Sequence, residues 1–212
     1  MNGRPSLQKM VTVILSMALA TFWAVDTGRA ENENMDPLKT IFLVCRHVGG
    51  PTPADDLRSY AEKNGLSDAE MSEKLVAFVK AGLPDDADRI QQRLGGAALY
   101  GLAQFGGETE RAFVWDIMTT SDNQHFRDVA IQICIRMMPD KWEEVVREVA
   151  TNPRFSSYDR FLAYEGAFLV GSNASQNVRE RVAEVLSEFA EREPGDGYQE
   201  RLHQWSAELQ AR

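Results

Sequence analysis

From residue 37 onward the apolar positions recur every three or four residues, interrupted by glycines, prolines and short polar runs. That period matches the 3.6-residue turn of an α-helix, and no segment keeps the strict alternation of a half-buried strand. Asp36-Pro37 predicts a cap and a first-turn proline before LKTIFLVCRHV, which Gly49-Gly50 closes. Thr52-Pro53 opens a second segment that ends at Asn64-Gly65. Ser67 followed by Glu70 has the form of a capping box, in which each side chain satisfies a backbone N–H of the other's end of the turn. Its helix runs to Gly82 with Leu75, Val76, Phe78 and Val79 as the apolar stripe.

Beyond residue 83 the helices fall into pairs. Residues 84–105 predict a long helix with a bend at Gly95-Gly96, and 108–120 its return. Residues 123–138 and 139–150 form a second pair, and 157–170 and 174–193 a third. A break at 194–197 precedes a last amphipathic helix, 198–212. The leading helices superimpose: RLGGAALYGLAQF from Arg93, RDVAIQICIRMMP from Arg127 and RFLAYEGAFLVGS from Arg160, spaced by 34 and 33 residues. A small residue follows each arginine by three places (Gly96, Ala130, Ala163), and Leu102, Arg136 and Leu169 fall in register.

Such a period, with small residues where helices cross, resembles HEAT or armadillo-type repeats over residues 84–193. The middle copy departs from it with IQICIRMM, and 37–82 lacks the arginine motif. The resemblance implies an all-α fold, a short α-solenoid of stacked antiparallel helical hairpins with helical caps. Residues 37–82 are then N-terminal helices or a cap, 84–193 the repeat-like pairs and 198–212 a C-terminal cap, within one domain spanning 31–212. The alternative is a compact helical bundle without repeats.

The first thirty residues read differently. Arg4 and Lys9 precede an uncharged run from Met10 to Val25, and small residues stand at Gly28 and Ala30. That is the layout of a secretory signal peptide over 1–30. As a helix the run would rise about 24 Å, short of the roughly 30 Å hydrocarbon layer. A retained anchor with Trp23 at the interface is the alternative. The expected location is therefore secreted or periplasmic. The whole chain carries a net charge of −9. Removing Arg4, Lys9, Arg29 and Asp26 leaves 20 basic against 31 acidic residues, or −11. That sign repels phosphate backbones and anionic lipid, so neither nucleic acid nor, after cleavage, a membrane is an expected partner.

Catalytic patterns are sparse. His47, His125 and His203 lie far apart, and Cys45-x-His47 places two donors about 200° apart on a helix, a poor arrangement for one metal ion. Asp55-Asp56 and Asp85-Asp86-x-Asp88 read as acids at helix N-termini, without the ligand order of an EF-hand. No nucleophile elbow, H-E-x-x-H or S-x-x-K motif occurs. Glu143-Glu144 and Glu108/Glu110 are carboxylate pairs on expected helix surfaces, of a kind that composition alone supplies. No catalytic, cofactor or metal residue is assigned, and no cofactor is expected. Cys45 and Cys134 could close an 89-residue loop worth roughly 4 kcal/mol, or Cys134 could be an inert thiol in IQICI. Trp115, Trp142, Trp205, Tyr100, Tyr158 and Tyr164 are core candidates that would anchor a groove if several converged on one face. The expected function is an exported helical-repeat module that binds another protein or peptide. The alternatives are an envelope structural or accessory subunit and a small exported helical enzyme using surface carboxylates.

Overall fold

The computed structural model of the chain describes residues 37–44, 54–192 and 196–211. The expected signal peptide, Cys45, His47 and the Gly49-Gly50 and Thr52-Pro53 breaks lie outside the described residues. All regular structure among the described residues is helical: α1 (Pro37–Val44), α2 (Ala54–Lys63), α3 (Asp68–Gly82), α4 (Arg89–Phe105), α5 (Glu108–Thr120), α6 (Gln124–Met137), α7 (Trp142–Thr151), α8 (Ser157–Ser172), α9 (Gln176–Ala190) and α10 (Asp196–Gln210). A short 3-10 turn, Pro139–Lys141, leads into α7. None of these helices is long and apolar enough to cross a membrane.

The helix ends follow the side chains that can satisfy free backbone groups. Ser67 and Glu70 form the expected capping box on α3, and Asp88 with Gln91 forms another on α4. Ser156 and Asp159 form a third on α8, while Asn123 caps α6 alone. At the end of α2, Gly65 takes φ +62°, and Leu66 N–H reaches back to the Ala61 carbonyl at 2.9 Å. This left-handed residue closes the helix where Asn64-Gly65 predicts it. The acids divide as their positions dictate. Asp55 and Asp56 sit in the first turn of α2. Of the later cluster, Asp88 is the cap of α4, and Asp85 and Asp86 lie in the turn before it rather than within the helix.

A second device repeats four places after the cap. Gln92, Arg127, Arg160 and Arg179 each donate a side-chain hydrogen bond to the carbonyl just before their own helix cap: Ala87, Asp122, Phe155 and Ala174, at 3.0–3.4 Å. These carbonyls would otherwise face the incoming loop without a donor. Measured from the caps, Gln92 and not Arg93 is therefore the counterpart of Arg127 and Arg160. Gly95 likewise replaces Gly96 as the counterpart of Ala130 and Ala163, both of which are fully buried.

Successive inner helices stack: α4 on α6, α6 on α8, and α8 on α10. This is the short α-solenoid of antiparallel hairpins that the periodicity predicts, but the pairing has a different phase. The sequence pairs 84–105 with the helix after it, whereas α4 packs most extensively on α3, the helix before it. In the same way α6 packs on α5, and α10 packs on α9. Helix α8 leans on α7 and α9 alike. Helix α4 also starts at Arg89 instead of 84 and runs without a break through Gly95-Gly96. The crossing explains the glycines. A Cβ on Gly95 would stand 2.8 Å from the Phe126 ring and 3.0 Å from the Phe78 carbonyl, too close for any side chain. One apolar core runs through the stack from Leu38 and Phe42 in α1 to Leu202 and Leu209 in α10.

Candidate functional site

The aromatic candidates serve mainly as core. Trp142, Trp205, Tyr100 and Tyr164 are buried, and Trp115 is half-buried against the core. Trp205 stacks on Phe161 and Phe168, with ring centroids 5.5 and 5.1 Å apart. Tyr158 alone of the six is exposed, at 48%. Phe161 also stacks on Tyr198 at 4.8 Å, so the aromatic cluster that forms takes in Trp205 alone of the six candidates among the described residues.

The carboxylate pairs separate too. Glu110 accepts Gly107 N–H at 2.7 Å, the one half of a capping box that a glycine cap allows at the start of α5. Glu143 accepts from Arg181 and Arg147, which hold its carboxyl below the usual range. Arg147 continues to Glu188 at 3.2 Å and Glu188 to Arg192 at 3.0 Å, so these charges lace the outer faces of α7 and α9. Exposed pairs of this kind add only about 0–1 kcal/mol each. Cys134 carries a free, fully buried thiol that burial pushes up to about 12, the inert alternative of the sequence reading. No group of three or more His, Cys, Asp or Glu side chains could hold a metal ion among the described residues.

What remains is the seam between α6 and α8. One turn of Gly166 lies against Ile135, whose Cδ1 would stand 2.6 Å from a Cβ there. The absence of a side chain at 166 lets the helices approach and leaves a cleft of about 370 Å³ beside them. Gln132 and Arg136 face it from α6, and Leu162, Glu165, Leu169 and Val170 from α8. Leu169 is 50% exposed, unusual for a leucine in a helical stack whose other large apolar side chains are mostly covered. Gln132 is fixed from behind by Tyr100 of α4, whose hydroxyl donates to Gln132 Oε1 at 3.1 Å. The Arg136 guanidinium lies 5.7 Å from the centre of the same ring. Neither Arg136 nor Glu165 forms an ion pair among the described residues. The cleft therefore offers an apolar wall between one positive and one negative rim group. Arg136 and Leu169 are two of the in-register positions of the sequence. The third, Leu102, is fully buried, and Gly101 beside it lies 3.1 Å from Leu57 of α2 through the Cβ it lacks.

At the other end of the seam stands a pair that sequence reasoning missed. Asp128 of α6 and Asp159 of α8 meet carboxyl to carboxyl. Asp159 is fully buried, and its Oδ2 accepts Ser156 N–H at 2.6 Å with Arg127 at 3.9 Å. Burial, together with the neighbouring Asp159 carboxyl, pushes Asp128 up to about 7. Burial also works to raise Asp159, but hydrogen bonds from Asp128 and from the Ser156 hydroxyl and N–H outweigh it and hold Asp159 low. Neither aspartate lines the cleft. The Ser156-x-x-Asp159 box was legible as a cap; Asp128, a lone acid in an apolar run, was the remaining signal. Compared with protein-family models, with curated proteins and with solved structures, the chain matches none.

Proposed function

We propose that the protein is an exported helical-repeat module, similar in kind to HEAT or armadillo repeats, that binds another protein or peptide and performs no catalysis. The observation that carries this reading is the α6/α8 cleft, where half-exposed Leu169 lies among Arg136, Glu165 and Val170. A cleft of about 370 Å³ holds one or two side chains of a partner rather than a folded substrate domain. An apolar wall with one charge of each sign on its rim suits an apolar anchor residue flanked by polar ones. Neither Asp128 nor Asp159 lines that cleft, so it offers a bound substrate no perturbed carboxyl pair of the kind the enzyme alternative would use. Export and cleavage of 1–30 belong to the same proposal and rest on the charge and hydropathy layout of that segment.

The test is capture from the native exported fraction with residues 31–212 and with two variants, Leu169→Asp and Arg136→Glu. A stoichiometric partner held by the wild type and lost from both variants supports the reading. A partner held equally by all three places the binding face elsewhere. Mass spectrometry of the native N-terminus tests export, and a chain that still starts at Met1 defeats cleavage.

A further inference from the structure

Two carboxyl groups from different repeats, Asp159 fully buried and Asp128 half-buried, face each other. Asp128 Oδ1 and Asp159 Oδ1 are both shielded from solvent, and no donor from any other described residue reaches either. An ionised carboxylate only accepts, so a contact between two of them is repulsive, whereas a single proton turns one into a donor. The surroundings fix which one. Asp159 already accepts from Ser156 N–H at 2.6 Å and has Arg127 at 3.9 Å, so it is the site built for the negative charge. Asp128 has no backbone N–H or ion pair of that kind, only the more distant charge of Arg127 working against its proton, and is the group that takes it.

We propose that α6 and α8 are pinned by a proton shared between Asp128 and Asp159, and that losing it loosens this seam and the cleft beside it. The cleft is within one turn of the pin. Gln132 follows Asp128 by four residues and Leu162 follows Asp159 by three, which places each on the same helical face as its aspartate. Repulsion at the pin is thus transmitted to the side chains that line the cleft.

The other charged and titratable groups leave this assignment intact. Arg127, on the same helix as Asp128, is held by the Ser121 carbonyl at 3.1 Å and leans towards Asp159. Tyr100 of α4 feels the charge of Asp128, but its hydroxyl donates to Gln132. Tyr158 of α8 acts on Tyr100 and not on Asp128. His125 is turned into the α4 seam, with Nε2 2.6 Å from where a Gly96 Cβ would stand; burial lowers its pKa, and it does not act on Asp128. No titratable group of α5 or α7 acts on Asp128 among the described residues.

The sign follows from linkage. The folded value of Asp128 lies above its ordinary 3.8, so its stabilisation is whole below about pH 4 and is lost as pH rises through about 7. Asp159 is displaced the other way, so its stabilisation is present above its ordinary value and is lost only in stronger acid. The pin therefore holds in mild acid and opens on the alkaline side of neutrality.

The experiment is thermal unfolding of residues 31–212 between pH 5 and 8.5, for the wild type and Asp128→Asn. The asparagine amide keeps a donor opposite Asp159 at every pH. The expected wild-type Tm falls by several degrees as pH rises through 7, and Asp128→Asn removes that fall. Carboxyl ¹³C titration of the wild type gives an independent reading, with one aspartate resonance moving near pH 7 and none of the variant's doing so. A fall that survives in Asp128→Asn, or the absence of any carboxyl titrating above pH 6, overturns the proposal. So does a rise in wild-type Tm on adding calcium or magnesium at pH 8 that Asp128→Asn lacks, since a cation would then be the bridge.

Discussion

Helices α4 and α6 meet where two glycines make room for the Phe126 and His125 rings, whereas α6 and α8, joined by the same capping scheme, meet at an acid pair, Asp159 buried and Asp128 half-buried, and then part around a cleft. In the first seam Gly95 and Gly96 bring the backbone against Phe126 and His125, and farther along Tyr100 bridges to Gln132 and lies beneath Arg136. In the second, Ala163 replaces glycine at the crossing, and a Cβ on Gly166 would crowd the Ile135 side chain alone, closest at its Cδ1 at 2.6 Å and next at Cβ and Cγ2 at 3.5 Å. The difference lies in what the small residues face. Gly95 faces backbone and an aromatic ring, which cannot yield; Gly166 faces a flexible side-chain end, which can. The closed seam is held by steric fit; the open one, on the proposal above, is held by a proton between two carboxyl groups, and ionisation loosens it. Interfaces of the first kind are insensitive to solution conditions, and those of the second kind are available for regulation.

The largest expected effect breaks the closed seam. Gly95→Val would drive a branched side chain into Phe126 and the Phe78 carbonyl, and should cost about 3 kcal/mol in chemical denaturation. Gly166→Ala is its counterpart in the open seam. There Ile135 can turn aside and the helix gains about 1 kcal/mol of propensity, so stability should stay within about 1 kcal/mol of wild type. If the two glycine substitutions cost the same, the contrast between the seams fails. Tyr100→Phe removes the hydrogen bond to Gln132 and should cost about 1 kcal/mol, with a loosened Gln132 side chain visible in its amide resonances. Leu169→Asp should change stability least, by no more than about 0.5 kcal/mol, because the side chain is half exposed. Its effect should fall on binding alone, and a large loss of stability would show that the cleft is core.

Much of the fold was legible because helix ends are local. Ser67 with Glu70, and Asn64-Gly65, carry their own partners within four residues. The stack was legible through its period, but its phase was not. Nothing local distinguishes a helix that packs on its predecessor from one that packs on its successor, and the contact of α3 with α4 joins residues such as Gly82 with Gln91, Phe78 with Gly95 and Leu75 with Gly101 across the turn between them. The arginine register was one place off for α4 because Gln92 and not Arg93 reaches the loop carbonyl there. Leu169 and Arg136 were in view as repeat positions, yet only the position of α2 over Gly101 shows why their equivalent in α4 is covered and they are not. The Asp128–Asp159 contact spans 31 residues and joins two acids that any reading of the sequence assigns to separate helices.

The central claim is that the open seam is the binding face, and a photoreactive side chain at two positions tests it most directly. Leu169 lies in the cleft, and Ile90, 58% exposed at the start of α4, is an apolar control of equal accessibility far along the stack. Illuminated in an extract of the native source, the probe at 169 should give one discrete adduct, competed away by unlabelled wild type but not by Leu169→Asp, while the probe at 90 gives none. Adducts of equal yield at both positions, or none at 169, would contradict it.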